Sequence, residues 1–108
     1  MFKEPTHLGR MSLEAHQDSR RWFPDTADNL FFMTACMGGE AGEAVNELKK
    51  VFRLQRSLTP VEKHKYVMEL TDVLTYLLGC YAIVGADPER AYYQKRLENE
   101  QRFGKVIE

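Results

Sequence analysis

Four acids stand out by their spacing. Glu40 and Glu43 are three apart, and so are Glu69 and Asp72. On a helix, residues i and i+3 project from one face, so each pair makes a two-carboxylate claw. Two carboxylates about 6 Å apart repel by roughly 3 kcal/mol at an effective dielectric of 20. Brought together, four of them need protons, separation or a cation. All the ligand atoms on offer are carboxylate oxygens, which select hard ions such as Mg²⁺ or Mn²⁺. Neither claw supplies the histidine that a Glu-x-x-His di-iron bundle would need. Magnesium keeps water and favours phosphate oxygens as further ligands, so an all-acid cluster points to phosphate chemistry.

Other side chains suit the same chemistry. Lys95, Asn99 and Arg102 follow i, i+4, i+7 spacing and share one helix face. Two cations and an amide suit phosphate oxygens, the alternative being a solvated face with Glu98 as neighbour. Tyr76, four after Asp72, lies beside the claw as a ligand contact or as a core tyrosine. Lys50, seven after Glu43, either reaches a phosphate or is a surface lysine near a helix C-terminus. Trp22 and Phe23 either stack on a nucleobase or pack at a core or interface. His16 and His64 read as surface residues. No Ser-His-Asp or Cys-His arrangement is apparent. Cys36 and Cys80 are far apart in apolar surroundings and read as free thiols in a reducing cytosol.

The elements that must position these groups are helices. A short first helix runs from about Ser12 to Trp22, and Phe23-Pro24-Asp25 breaks it. A second runs from about Asp28 to Arg53, with apolar residues at helical spacing. It contains Gly38, Gly39 and Gly42, each costing about 1 kcal/mol relative to alanine. Close approach of another helix or a ligand is the expected compensation. The third opens on Thr59-Pro60-Val61-Glu62, an N-cap threonine, a first-turn proline and a glutamate at the third position. It ends near Gly85. Apolar almost all round from Val67 onward, it belongs at the centre of a bundle. The fourth begins at Asp87-Pro88 and ends near Gly104. Residues 1–11 and 105–108 read as peripheral or frayed.

Helices joined by a short turn pack antiparallel. At 1.5 Å per residue, both claws lie roughly 15 to 20 Å from the turn between Arg53 and Pro60. They therefore sit at one level of one hairpin. Glu69 and Asp72 lie in the most apolar helix, where an unpaired charge is expensive. No Lys or Arg stands at i±3 or i±4 of Asp72, and Lys65, four before Glu69, can pair with that acid but not with all four. A divalent cation resolves the arrangement.

The bulk numbers agree with this. The 108 residues fit one domain, and 44% apolar with 29% charged residues is an ordinary folded composition. A chain this short buries a modest core, so completion by further copies is expected. With 15 basic against 16 acidic residues, the charge balance argues against a general nucleic-acid binder and leaves room for a local basic patch that takes one phosphorylated ligand. The opening MFKEPTHLGR lacks the apolar core of a signal peptide. Tyr66 to Val84 is apolar apart from Glu69 and Asp72. Each acid costs about 3 kcal/mol at a membrane centre, so a buried helix and a cytoplasmic protein are expected.

The residues also resemble a known family. Gly39-Glu40-Ala41-Gly42-Glu43 followed by Glu69-Leu70-Thr71-Asp72-Val73 is similar to the ExxE…ExxD signature of the MazG-like all-alpha nucleoside triphosphate pyrophosphohydrolases. Lys95-x-x-x-Asn99-x-x-Arg102-Phe103 resembles that family's closing element. The resemblance spans about Asn29 to Phe103. It implies hydrolysis of an NTP or dNTP to the monophosphate and pyrophosphate. It implies Mg²⁺ held by Glu40, Glu43, Glu69 and Asp72, and a homodimer or homotetramer with sites near subunit contacts. Glu43 is the candidate for orienting or deprotonating the attacking water. The different-class alternative is a non-catalytic helical module that binds nucleotides or mediates assembly.

Overall fold

The computed structural model describes residues 3–104. It is all-α, with four helices: α1 (His7–Trp22), α2 (Leu30–Arg53), α3 (Pro60–Ile83) and α4 (Pro88–Phe103). Helix α3 packs against both α1 and α2, and α4 meets α1.

The helix starts are written locally. Asn29 accepts from the Phe32 amide and begins α2. Thr59 accepts from the Glu62 amide at 3.2 Å while Glu62 accepts from the Thr59 amide at 3.0 Å, a complete capping box. Arg56 adds a two-pronged ion pair to Glu62 at 2.7 and 2.9 Å. That pair, followed by the Thr59 bonds, holds the Glu62 carboxyl down to about 2. The α2–α3 turn is thereby fixed. Gly85 closes α3 in the left-handed region at φ +74°, a conformation glycine takes without steric cost.

The first helix begins five residues earlier than its apolar pattern suggests. Thr6 is its N-cap, accepting from the Gly9 amide at 3.0 Å. Thr6 is itself held by Asp87, through its amide at 3.0 Å and its hydroxyl at 2.6 Å. Asp87 also accepts from the Glu89 and Arg90 amides and so caps α4. Arg90 donates to the Glu4 carbonyl at 2.7 Å. One carboxylate thus serves two helix N-termini. Gly9 is required there, because a Cβ would collide with the Asp87 carboxylate. Residues 3–11 are therefore clasped to α4 rather than peripheral, while Met1, Phe2 and residues 105–108 lie outside the described residues.

Two further bonds seat α1. Ser12, 1% exposed, donates to the Leu78 carbonyl of α3 at 2.6 Å. His16 is half-buried and lies 2.6 Å from the Asp28 carboxylate, which Arg20 also meets at 3.0 Å. His16 is thus a structural contact and not the surface residue its sequence context suggests. His64 is exposed as expected.

The buried apolar set is thin: Ala27, Met33, Ala44, Val51 and Leu78. The radius of gyration is 17.1 Å, against about 13 Å for a compact chain of this length. The described residues form a slab 53 × 49 × 23 Å, about two helices thick. Helix α3 is central as expected, yet Val67, Met68, Leu70 and Leu74 stay exposed within one chain. By length and composition it could cross a membrane. A Cβ added at Gly38, Gly39 or Gly42 would meet nothing within 4 Å. The close neighbour those glycines suggested is therefore not another part of the same described chain.

Candidate metal centre

The α2–α3 hairpin sets the acids in rows. Moving away from the turn, Lys65 meets Glu47 at 2.8 Å. Glu40 is next to Glu69 and Asp72, and one oxygen from each of these three acids lies within 4.8 Å of the others. Cys36 then stands beside Tyr76, and Met33 beside Gly79, where an added Cβ would lie 3.2 Å from the methionine methyl. Rows climb one helix as they descend the other, as an antiparallel hairpin requires. Gly79 lets Met33 sink into the contact, which draws the helices together beneath the acids.

The charges around the trio are unbalanced. Burial, then the Asp72, Glu69 and Glu43 carboxylates, raise the Glu40 pKa above its ordinary value. Glu43 contributes to this field but stands outside the trio, on the exposed side. Among the described residues no Lys or Arg pairs with any of the four acids. Lys65, which could have reached Glu69, is drawn to Glu47 instead. A hard divalent cation fits this donor set, because it supplies the missing charge to oxygen ligands alone.

Beside Asp72 opens a cavity of about 250 Å³ between α1, α2 and α3. Trp22, Phe23 and Phe32 give it aromatic lining, and Tyr76 and Met33 close it toward the hairpin. Burial, then the Cys36 sulfur, raise the Tyr76 hydroxyl above its ordinary pKa. Tyr76 and Trp22, suggested by sequence as ligand contacts, are thus brought to one cavity that Asp72 also lines. Asp18 and Ser19 on α1 line it as well. Sequence reasoning passed over them, although they stand four residues before Trp22 and Phe23 and so share their face of α1.

The basic residues lie elsewhere in one chain. Lys95 and Asn99 line an open groove on α4 with Tyr92, Arg96 and Phe103. Lys95 faces Glu98 at 3.8 Å, and the Arg102 guanidinium lies 4.9 Å from the Phe103 ring centre. Helix α4 leaves the hairpin after Gly85 and packs on α1, so the same chain does not carry these three residues to the acids. Lys50 lies near the turn, in a surface hollow with Asn46, Val61 and Lys65. Cys36 and Cys80 are free, as expected. Comparison with family models, with curated proteins and with solved structures finds no match for this chain.

Proposed function

We propose that this chain is a Mg²⁺-dependent nucleoside triphosphate pyrophosphohydrolase, converting an NTP or dNTP to its monophosphate and pyrophosphate. One observation carries the reading. Three carboxylates from two helices converge within 4.8 Å, and no ion pair to a lysine or arginine balances them among the described residues. Glu40, Glu69 and Asp72 would hold Mg²⁺, with Glu43 as a fourth acid; Mn²⁺ can use the same oxygens. Bound there, the cation offsets triphosphate charge and lowers the pKa of water.

The chain's own residues do the rest. Glu43, exposed beside the trio, orients the water or takes its proton. Water adds at phosphorus, the bridging P–O bond between the α and β phosphates breaks, and pyrophosphate leaves. The adjoining cavity takes the organic end of the nucleotide. Lys95, Asn99 and Arg102 bind phosphate oxygens from a second copy, since one chain keeps them apart from its own acids.

A homodimer or homotetramer also fits the thin core and the open slab. Phe31 and Phe52, 85% and 83% exposed, flank the uncovered glycines of α2. A membrane is the poorer cover for α3, because Glu69 and Asp72 would each cost about 3 kcal/mol at its centre. Light scattering should report a multiple of the 12.6 kDa chain at micromolar concentration, and a clean monomer would remove this part of the reading.

The enzyme reading is tested by incubating the folded protein with a panel of NTPs and dNTPs and Mg²⁺, with phosphate and pyrophosphate detected separately. Pyrophosphate release from at least one nucleotide is expected. No turnover of any would leave a non-catalytic nucleotide-binding or assembly module.

A further inference from the structure

We propose that the cavity beside Asp72 takes a base bearing an exocyclic amino group, and that Asp18 selects it. This rests on the reading of the neighbouring acids as the triphosphate end of a nucleotide site. The cavity is bounded by Trp22, Phe23 and Phe32, so a flat ring has apolar faces to lie against. Its polar groups decide which ring. Asp18 is half-buried on α1, and a carboxylate only accepts hydrogen bonds. Arg21 donates to its Oδ1 at 2.7 Å, which leaves Oδ2 to meet a ligand. Thr75, on the α3 side, donates its hydroxyl hydrogen to the Thr71 carbonyl at 2.9 Å. Its oxygen can then only accept from the cavity. Tyr76 adds a hydroxyl beside the Cys36 sulfur. Ser19 and Thr26 add hydroxyls that can donate or accept, so, apart from Asp72, the groups that can only accept from a ligand are the Asp18 carboxylate on α1 and the Thr75 oxygen on α3.

An amino group of cytosine or adenine supplies donors to such a lining. The carbonyl that replaces it in uracil or hypoxanthine would face a carboxylate oxygen with no hydrogen between them. Sites that bond a specific polar group reject the analogue lacking it far better than apolar contacts do. Because Asp18 is partly exposed, water softens the penalty, and a preference of about tenfold within each size-matched pair is expected.

The chain's single tryptophan, Trp22, lines the cavity and reports occupancy without turnover. Trp22 fluorescence is titrated with dCMP against dUMP and with dAMP against dIMP, and pyrophosphate release is measured for the corresponding triphosphates. The amino partner should bind about tenfold tighter in each pair. Asp18→Asn should bring each pair to within about threefold, since an amide can donate to the carbonyl. Arg21→Gln removes the ion pair but keeps the acceptor, and should retain the preference. Circular dichroism verifies that both variants stay helical. Equal binding of amino and oxo partners by the unmodified protein overturns the proposal. So does a preference lost equally in both variants, or one unmoved by Asp18→Asn. Amino-selective binding without turnover of any triphosphate would uphold the cavity assignment and sink the enzyme reading. Turnover without base preference would do the reverse.

Discussion

The middle of α3 and the turn just beyond its C-terminus treat carboxylates in opposite ways. Just beyond its C-terminus, Asp87 receives the Thr6 amide and hydroxyl and the first amides of α4, and faces Arg90. Burial there would raise its pKa, but these bonds outweigh burial and hold it down to about 2. Near the middle of the helix, Glu69 and Asp72 crowd Glu40, whose pKa moves up. One group is satisfied by the chain; the other has no ion pair to a lysine or arginine among the described residues. The difference follows exposure as well as partners: Asp87 is half-buried among donors, whereas Asp72 is exposed and Glu40 and Glu69 only half-buried.

The largest expected effect separates the two groups by activity. Glu69→Ala or Asp72→Ala should lower pyrophosphate release by a factor of about 100 or more, as loss of a charge-stabilising group in an active site does. Helicity and melting temperature should be unchanged or slightly raised, because repulsion is relieved. Near-normal turnover in either variant would erase the distinction drawn above.

Asp87→Ala should do the opposite. It removes the cap of α4 and the anchor of Thr6, costing about 1–3 kcal/mol and lowering the melting temperature by several degrees. Turnover per folded molecule should persist. The pH dependence has a definite sign. Asp87 is held down to about 2 from an ordinary value of 3.8, so its contribution is fully present above pH 4 and fades as pH falls toward 2. Melting curves of the unmodified protein and of Asp87→Ala should therefore converge as the pH approaches 2.

The smallest effect concerns Glu40 without metal. Glu40→Gln removes one charge from the crowded trio and should raise the melting temperature by about 1–2 °C in chelator. On the proposed reading, added Mg²⁺ should stabilise the unmodified protein and stabilise Glu40→Gln less, as a ligand specific to the folded state does. A variant less stable than its parent in chelator would show that the acids are already satisfied.

What was legible in the sequence was local or arithmetic. The Thr59 and Asp87 starts could be read because cap and proline are neighbours in the chain. The meeting of Glu40 with Glu69 and Asp72 followed from counting residues away from one short turn. The start of α1 escaped because Thr6 is fixed by a residue 81 positions away. Lys65 chose Glu47 across the hairpin over Glu69 on its own helix, which spacing along one helix does not reveal. The spacing of Lys95, Asn99 and Arg102 defined a face but not where α4 carries it. Asp18 had a readable signal, its position one turn before Trp22, but its value lay in Thr75 on another helix.

The Asp87 clasp also bears on the order in which the molecule assembles. The α2–α3 hairpin needs only a short loop closed, whereas the clasp joins residues 81 apart and carries a larger loop-closure cost. The hairpin should form in the folding transition state and the clasp after it. Loss of Asp87 should then accelerate unfolding while leaving the refolding rate nearly unchanged, making this carboxylate a latch on the lifetime of the fold.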